Sequence, residues 1–210
     1  MISDQQVDDC RLWRAEAAMM HELRMEDEAV AEIDALRGEV ARLRARITEL
    51  EALVFRDDLC GCANRRGLVE ALDTAIARRR RHQLPSALML IDMDGLKRLN
   101  DRFGHMAGDR ALVRLAQLLV AGVRTNDVVA RIGGDEFALL LDQAGGIDAG
   151  DTARRLAETV AAAEFAIDGQ LQPLSVAIGV TMVEPGDSPD QALARADRAM
   201  YRVKSSIAAA

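Results

Sequence analysis

The stretch RIGGDEFALLL, residues 131 to 141, sets Asp135 and Glu136 beside Gly133 and Gly134, between two apolar runs that read as short strands. A tight turn needs glycine, but it does not need two adjacent acids. A second pair, Asp92 and Asp94, ends the apolar run SALMLIDMD over residues 86–94. A buried strand has little reason to end in acids unless its end is wet or metal-bound. If the two strand ends share a sheet edge, their carboxylates repel. Two like charges ~4 Å apart cost roughly 4 kcal/mol at an effective dielectric of about 20. A divalent cation removes that cost, and an all-oxygen ligand set favours a hard ion, Mg²⁺, whose shell substrate phosphates complete. Gly133 and Gly134, without side chains, would then let phosphates approach the backbone. The plainer alternative is a Gly-Gly hairpin with surface acids.

The elements that must hold these groups follow from periodicity. Helices are expected over about 64–81, 108–123, 150–163 and 188–205, the last with Ser188 as N-cap and Pro189 at its first position. Strands are expected at 86–94, 127–132, 136–142 and 174–183. The basic run Arg78–Arg81 reads as a solvated helix end that complements the helix dipole. Helices interleaved with strands and one hairpin imply an α+β fold, a palm-like central sheet flanked by helices.

Residues 7–56 differ in kind: no proline and one glycine, Gly38, in a background of Ala, Leu, Glu and Arg. Ile33, Leu36, Val40, Leu43, Ile47, Leu50 and Val54 fill heptad a and d positions. With Ile33 at a, the g residues Glu32, Glu39 and Arg46 face the e′ residues Arg37, Arg44 and Glu51 of a parallel partner, opposite in sign each time. Upstream the stripe runs less regularly through Leu12, Met19, Leu23 and Val30, with a phase shift near 30–36 that is a candidate hinge. The expected organisation is therefore a long N-terminal helix over residues 1–56 forming a parallel dimeric coiled coil, then an α+β domain over 57–210.

Of the 210 residues half are hydrophobic and only 3% aromatic, so the core must be aliphatic. A net charge of −7 argues against a nucleic-acid backbone as partner, though not against a nucleotide whose phosphates are neutralised by metal. Cys10, Cys60 and Cys62 are too few and too irregular for a disulfide framework. Cys60 and Cys62 read as buried reduced thiols, and Cys10 with His21 as structural residues rather than metal ligands. Without a signal peptide or an apolar run long enough for a membrane span, the chain reads as cytoplasmic.

RIGGDEF resembles the signature of the GGDEF family, the diguanylate cyclases, and the resemblance extends over residues 57 to about 204. DDLCGCANRRG (57–67) is similar to the family's DxLTGLxNRR, and DMDGLKRLNDRFGHMAGD (92–109) to its DIDxFKxxNDxxGHxxGD segment. VAIGVT (176–181) and ADRAMYRVK (196–204) resemble its later strand and final helix. The resemblance implies condensation of two GTP into cyclic di-GMP with release of two pyrophosphates. It implies that Asp92, the carbonyl of Met93 and Asp135 hold two Mg²⁺ per half-site, with Mn²⁺ an alternative. Glu136 would serve as a further ligand or as acceptor of the attacking 3′-hydroxyl proton. Asn100 and Asp109 match the guanine readers, and a carboxylate at 109 suits the N1–H and exocyclic amine of guanine, which adenine lacks. Lys97 and Lys204 match the lysines that contact the triphosphate.

Arg124 and Asp127 form an RxxD separated from Gly133 by the five residues 128–132, a spacing similar to the family's inhibitory site for cyclic di-GMP, which Arg154 or Arg155 of a neighbouring subunit would complete. Each domain takes one GTP, so the chemistry needs two domains face to face, and a coiled coil would raise their effective concentration. The sequence departs from the family pattern at Cys60 and Cys62, at Gly95 and Leu96, and at Ala208, which stands where the family often carries a phosphate-supporting arginine. The rival readings are a catalytically weak GGDEF protein acting as a cyclic di-GMP receptor, or a GTP-binding adaptor.

Overall fold

The computed structural model describes residues 32–48, Leu50 and 54–208, with side chains through Ser205. The chain divides into two compact units, Met1–Glu51 and Ala52–Ala210. In the first, α1 spans residues 32–48. Ile33, Leu36, Val40, Leu43, Ile47 and Leu50 are each 46–59% exposed, so the heptad stripe is an uncovered apolar face. Arg37 pairs with Asp34 at 3.2 Å and Arg42 with Glu39 at 2.6 Å, both within the helix. The earlier stripe residues, Cys10 and His21 lie outside the described residues.

The second unit comprises β1 (Ala63–Asn64), α2 (Arg65–His82), β2 (Ala87–Met93), α3 (Leu96–Phe103), α4 (His105–Ala121), β3 (Val128–Arg131), β4 (Glu136–Leu141), α5 (Gly146–Ala161), β5 (Ala166–Ile167), β6 (Gln170–Leu171), β7 (Val176–Met182) and α6 (Pro189–Ala208). Five strands form one sheet in the order β1-β3-β4-β2-β7, and β5 pairs with β6 apart from it. The interior strand β2 is antiparallel to both β4 and β7.

Alternation along β2 and β4 divides the core. Met89, Ile91, Met93, Phe137 and Leu139 meet Leu112, Leu115 and Leu119 of α4 and Leu156 of α5 on one face. Leu88, Leu90, Ala138 and Leu140 meet Leu68 and Leu72 of α2 and Ala196 and Met200 of α6 on the other. Both faces of β2 are covered, which is why it reads as an unbroken apolar run. The result is the expected α+β architecture, a mixed sheet between two helical layers. No helix among the described residues is long and apolar enough to cross a membrane.

The layers lie close. A Cβ on Gly179 of β7 would stand 2.1 Å from the Met200 backbone nitrogen, so α6 packs against the strand with no room for a side chain between them. The start of α6 is as expected: Ser188 Oγ accepts from Gln191 N–H at 3.3 Å, and Gln191 Oε1 accepts from Ser188 N–H at 2.9 Å.

Two features differ from expectation, and a third gives a reason for a departure from the family pattern. Residues 96–121 form two helices rather than one beginning at 108, because Gly104, at φ 82°, closes α3 and opens α4. Gly95, a departure from the family pattern, takes φ 75° ahead of α3, a left-handed conformation that suits glycine. Arg78 is not merely solvated, since its Nη1 reaches Asp142 Oδ2 at 2.8 Å and ties α2 to the end of β4.

Candidate active site

The end of β2 carries the expected acids into a cleft. Asp92 is paired in register with Glu136 of β4, so their side chains leave the sheet on the same face. The Met93 N–H donates to the Asp135 carbonyl at 3.0 Å, locking the β2 end to the turn that carries Asp135. Asp92 is only 9% exposed, and Lys204 of α6 places Nζ 2.6 Å from Asp92 Oδ1. Asp94, just past the end of β2, accepts from Ser175 Oγ at 3.0 Å. The cleft, of about 430 Å³, is lined by three acids, Asp92, Asp94 and Asp135, and three cations, Lys97, Arg98 and Lys204.

The turn between β3 and β4 is braced by a residue that sequence reasoning did not single out. Arg131 donates from Nη2 and Nε to the Gly134 carbonyl, at 2.8 and 3.2 Å, and from Nη1 to both Asp57 oxygens at 3.4 Å. Asp57 in turn accepts from Cys60 N–H at 2.8 Å. One guanidinium thus joins DDLCGC to RIGGDEF across 74 residues of sequence. The arginine immediately before the turn was the available signal; its partner was not readable. Over Gly133, Glu136 folds back so closely that a Cβ there would lie 2.7 Å from Glu136 Oε2, whereas nothing stands within 4 Å of the corresponding position on Gly134. Burial and then the Asp57 charge push the Cys60 thiol up to about 12, and burial pushes Cys62 up as well. Both are inert neutral thiols near pH 7.

Asn100 and Asp109 come from α3 and α4. A Cβ on Gly108 would fall 2.0 Å from Asn100 Oδ1, so the glycine is what lets the two helices meet there. That oxygen is buried without a hydrogen-bond partner, an acceptor held in place with its bond unmade. Asp109 lines a second cleft of about 420 Å³ with Leu59, Met106, Val113 and Phe165. The expected residues are therefore divided: Asp92, Met93, Lys97, Asp135 and Lys204 share a charged cleft, and Asp109 belongs to a more apolar one.

The model of the diguanylate cyclase GGDEF domain matches residues 54–208. The chain belongs to the GGDEF family. The diguanylate cyclase DgcP of Pseudomonas aeruginosa is 33% identical over 173 residues, which are 82% of this chain and 26% of that protein. The chain thus spans about a quarter of that relative's length. Among solved structures, diguanylate cyclase SiaD of Pseudomonas aeruginosa, in complex with its activator SiaC, superposes with a TM-score of 0.71 at 31% identity, covering 97% of this chain and 83% of SiaD. The coiled coil and GGDEF domain of DgcB from Caulobacter crescentus, in complex with c-di-GMP, superposes with a TM-score of 0.75 at 25% identity, covering 84% and 94%.

In this GGDEF domain the RxxD residues are placed by a turn. Asp127 spends both oxygens on backbone, accepting from Arg124 N–H at 2.9 Å and from Asp142 N–H at 3.0 Å. The Arg124 side chain is exposed. Arg155 donates to the Gly122 carbonyl at 2.8 Å, so it reaches the RxxD turn of its own chain, while Arg154 is engaged with Asp151 and Glu158 of its own helix.

Diguanylate cyclases of the family use divalent metal ions. Among the described residues no three Asp, Glu, His or Cys side chains form a ready-made cage. The donors at hand are all oxygen, from Asp92, Asp135, Glu136 and the Met93 carbonyl. Such a set fits an ion held by one or two carboxylates and completed by phosphates, as Mg²⁺ is. The ammonium already resting on Asp92 shows that this carboxylate recruits a cation.

Proposed function

We propose that the chain is a diguanylate cyclase, condensing two GTP into cyclic di-GMP and two pyrophosphates, and that it works in the cytoplasm as a homodimer joined by its N-terminal helix. The observation that carries this reading is the register of Asp92 with Glu136 at the edge of a cleft that also holds Asp135, Lys97 and Lys204. Asp92, Asp135, Glu136 and the Met93 carbonyl would hold two Mg²⁺ per half-site, or Mn²⁺ in their place. Those ions, when bound, lower the charge of the pyrophosphate leaving group and favour loss of the hydroxyl proton. Glu136 would be a further ligand or the acceptor of that proton from the 3′-hydroxyl. Lys97 and Lys204 draw the triphosphate charge, and the exposed Gly134, with Gly133 beside it, lets phosphate approach the turn. Asn100 and Asp109 would read guanine, the second from the apolar cleft.

Because each domain takes one GTP, the exposed heptad stripe of α1 is assigned to a second copy of the chain, supported by the opposite-signed g and e′ residues and by the likeness to the DgcB coiled coil and GGDEF domain. Product inhibition through Arg124 and Asp127 is the regulatory part of the reading. Arg124 is exposed and Arg155 approaches from the same chain, while Asp127 holds the turn in shape.

The test is chromatographic analysis of products from GTP and Mg²⁺, after bound product has been removed with a phosphodiesterase. Cyclic di-GMP from the wild type and none from Asp135→Ala/Glu136→Ala is the expected result. A dimer that binds GTP and forms no product would reject the cyclase in favour of a receptor or adaptor.

A further inference from the structure

The cleft carries its own cation. Lys204 Nζ stands 2.6 Å from Asp92 Oδ1, with the Asp92 side chain 12% exposed and that of Lys204 37%. A carboxylate at that depth is costly without a counter-charge, and the ammonium supplies one. Across the cleft the acids Asp92, Asp94 and Asp135 balance the cations Lys97, Arg98 and Lys204. A divalent ion that reaches Asp92 alone meets a like charge already seated on Oδ1, and must displace it or bear the repulsion. A triphosphate alters this balance, because its oxygens offer Lys204 a new partner within the same cleft. The flexible four-carbon stem of lysine lets the head group move between them while α6 stays in place. Position 208, one turn further along α6, is alanine, so no second cation there shares the task.

We infer that Lys204 is a resident counter-cation that bars Asp92 to a divalent ion until a triphosphate draws it away, so that metal and nucleotide bind as a coupled pair. The inference rests on the reading of Asp92 as a metal ligand and of Lys204 as a phosphate contact, and it adds a ligand-free state in which the two are bonded to each other. In that state the metal site is occupied by the protein itself.

The experiment measures Mn²⁺ binding to metal-stripped, full-length protein by electron paramagnetic resonance, without nucleotide. Lys204→Met is expected to bind Mn²⁺ about tenfold more tightly than the wild type, since a like charge has left the site. Lys204→Arg, which keeps the charge, is expected to bind as weakly as the wild type, and Lys204→Met/Asp92→Asn to lose the gain. With a non-cyclisable GTP analogue, Mn²⁺ affinity is expected to rise by a larger factor in the wild type than in Lys204→Met. Equal Mn²⁺ affinity of wild type and Lys204→Met, both folded by circular dichroism, overturns the inference, as does a gain that survives Asp92→Asn. A protein that makes no cyclic di-GMP, yet gains Mn²⁺ affinity on losing Lys204, keeps the inference and loses the cyclase. Product formation with unchanged Mn²⁺ affinity does the reverse.

Discussion

Two basic residues on α6 each meet an acid, and the two ends of the helix treat the pairing differently. Near its start, Arg195 donates to both oxygens of Asp187, at 2.5 and 2.6 Å, to the Met182 carbonyl at 2.8 Å and to Thr181 Oγ1 at 3.4 Å. Two turns and more beyond it, Lys204 makes one contact, to Asp92. The guanidinium is a planar fork whose bonds all point to fixed groups around β7, so it locks the helix to the sheet. The ammonium is a point charge on a flexible stem, half in solvent, beside a cleft with room for a ligand. The first pairing is structural and the second exchangeable, although a list of ion pairs would rank them as alike.

The strongest way to separate the two ends is to remove the acid at the exchangeable one. Asp92→Asn is expected to lower cyclic di-GMP formation by roughly 10³-fold, because a proposed metal ligand is lost from the reacting centre. The thermal midpoint should change little, since the amide still fits the site. Loss of the fold instead would make Asp92 part of the lock. Next in size is Gly179→Ala, which should disturb both ends at once. Its methyl would meet the Met200 backbone nitrogen, and moving α6 away is expected to cost about 3 kcal/mol in denaturant unfolding, with turnover falling too. Unchanged stability would mean that the helix rides less tightly on β7 than the structure shows.

A smaller effect is expected at the locked end. Arg195→Ala should cost about 2 kcal/mol of stability while the folded fraction keeps its turnover. Lys204→Ala should instead cost mainly turnover, with a smaller loss of stability from the Asp92 carboxylate it leaves unpaired. Should both variants lose stability alike, the distinction between lock and exchange fails. The smallest effect is a pH dependence. Hydrogen bonds from Arg195 hold the Asp187 carboxyl below its usual value. Its contribution is therefore complete above the ordinary carboxylate value, about 3.9, and fades as pH falls through the lowered one. The stability gap between the wild type and Asp187→Asn should stay level from pH 7 to about 4 and close below that. A gap that closes near neutrality would point to a different group.

What the sequence made readable were features that are local or periodic. β2 was legible because burial on both faces leaves it uniformly apolar, and the start of α6 because Ser188 and Pro189 announce it. The acids of the cleft were legible because polar residues at the end of an apolar strand are conspicuous. The division of residues 96–121 into α3 and α4 was missed, since it turns on one backbone dihedral at Gly104 inside an otherwise helical composition. The β5–β6 pair is too short to carry a pattern. Contacts distant in sequence were invisible: Arg131 with Asp57, Ser175 with Asp94, and Lys204 with Asp92. The heptad stripe was plain, and Ile33, Leu36, Val40, Leu43 and Ile47 are exposed on α1.

The Arg131 clamp has a mechanical consequence. Asp57 closes the loop in which its own N–H donates to the Cys62 carbonyl at 2.9 Å, and Asn64 Nδ2 fastens the preceding stretch through the carbonyls of Val54 and Arg56, at 2.9 and 3.0 Å. Position 57 is thus a rigid fulcrum, not a slack hinge. Any force that displaces it reaches the Gly134 carbonyl through a single flat linkage, and Gly134 is bonded directly to Asp135. The path is one side chain long, from the Asp57 carboxylate to the Gly134 carbonyl, so the position of residue 57 and that of the turn are coupled.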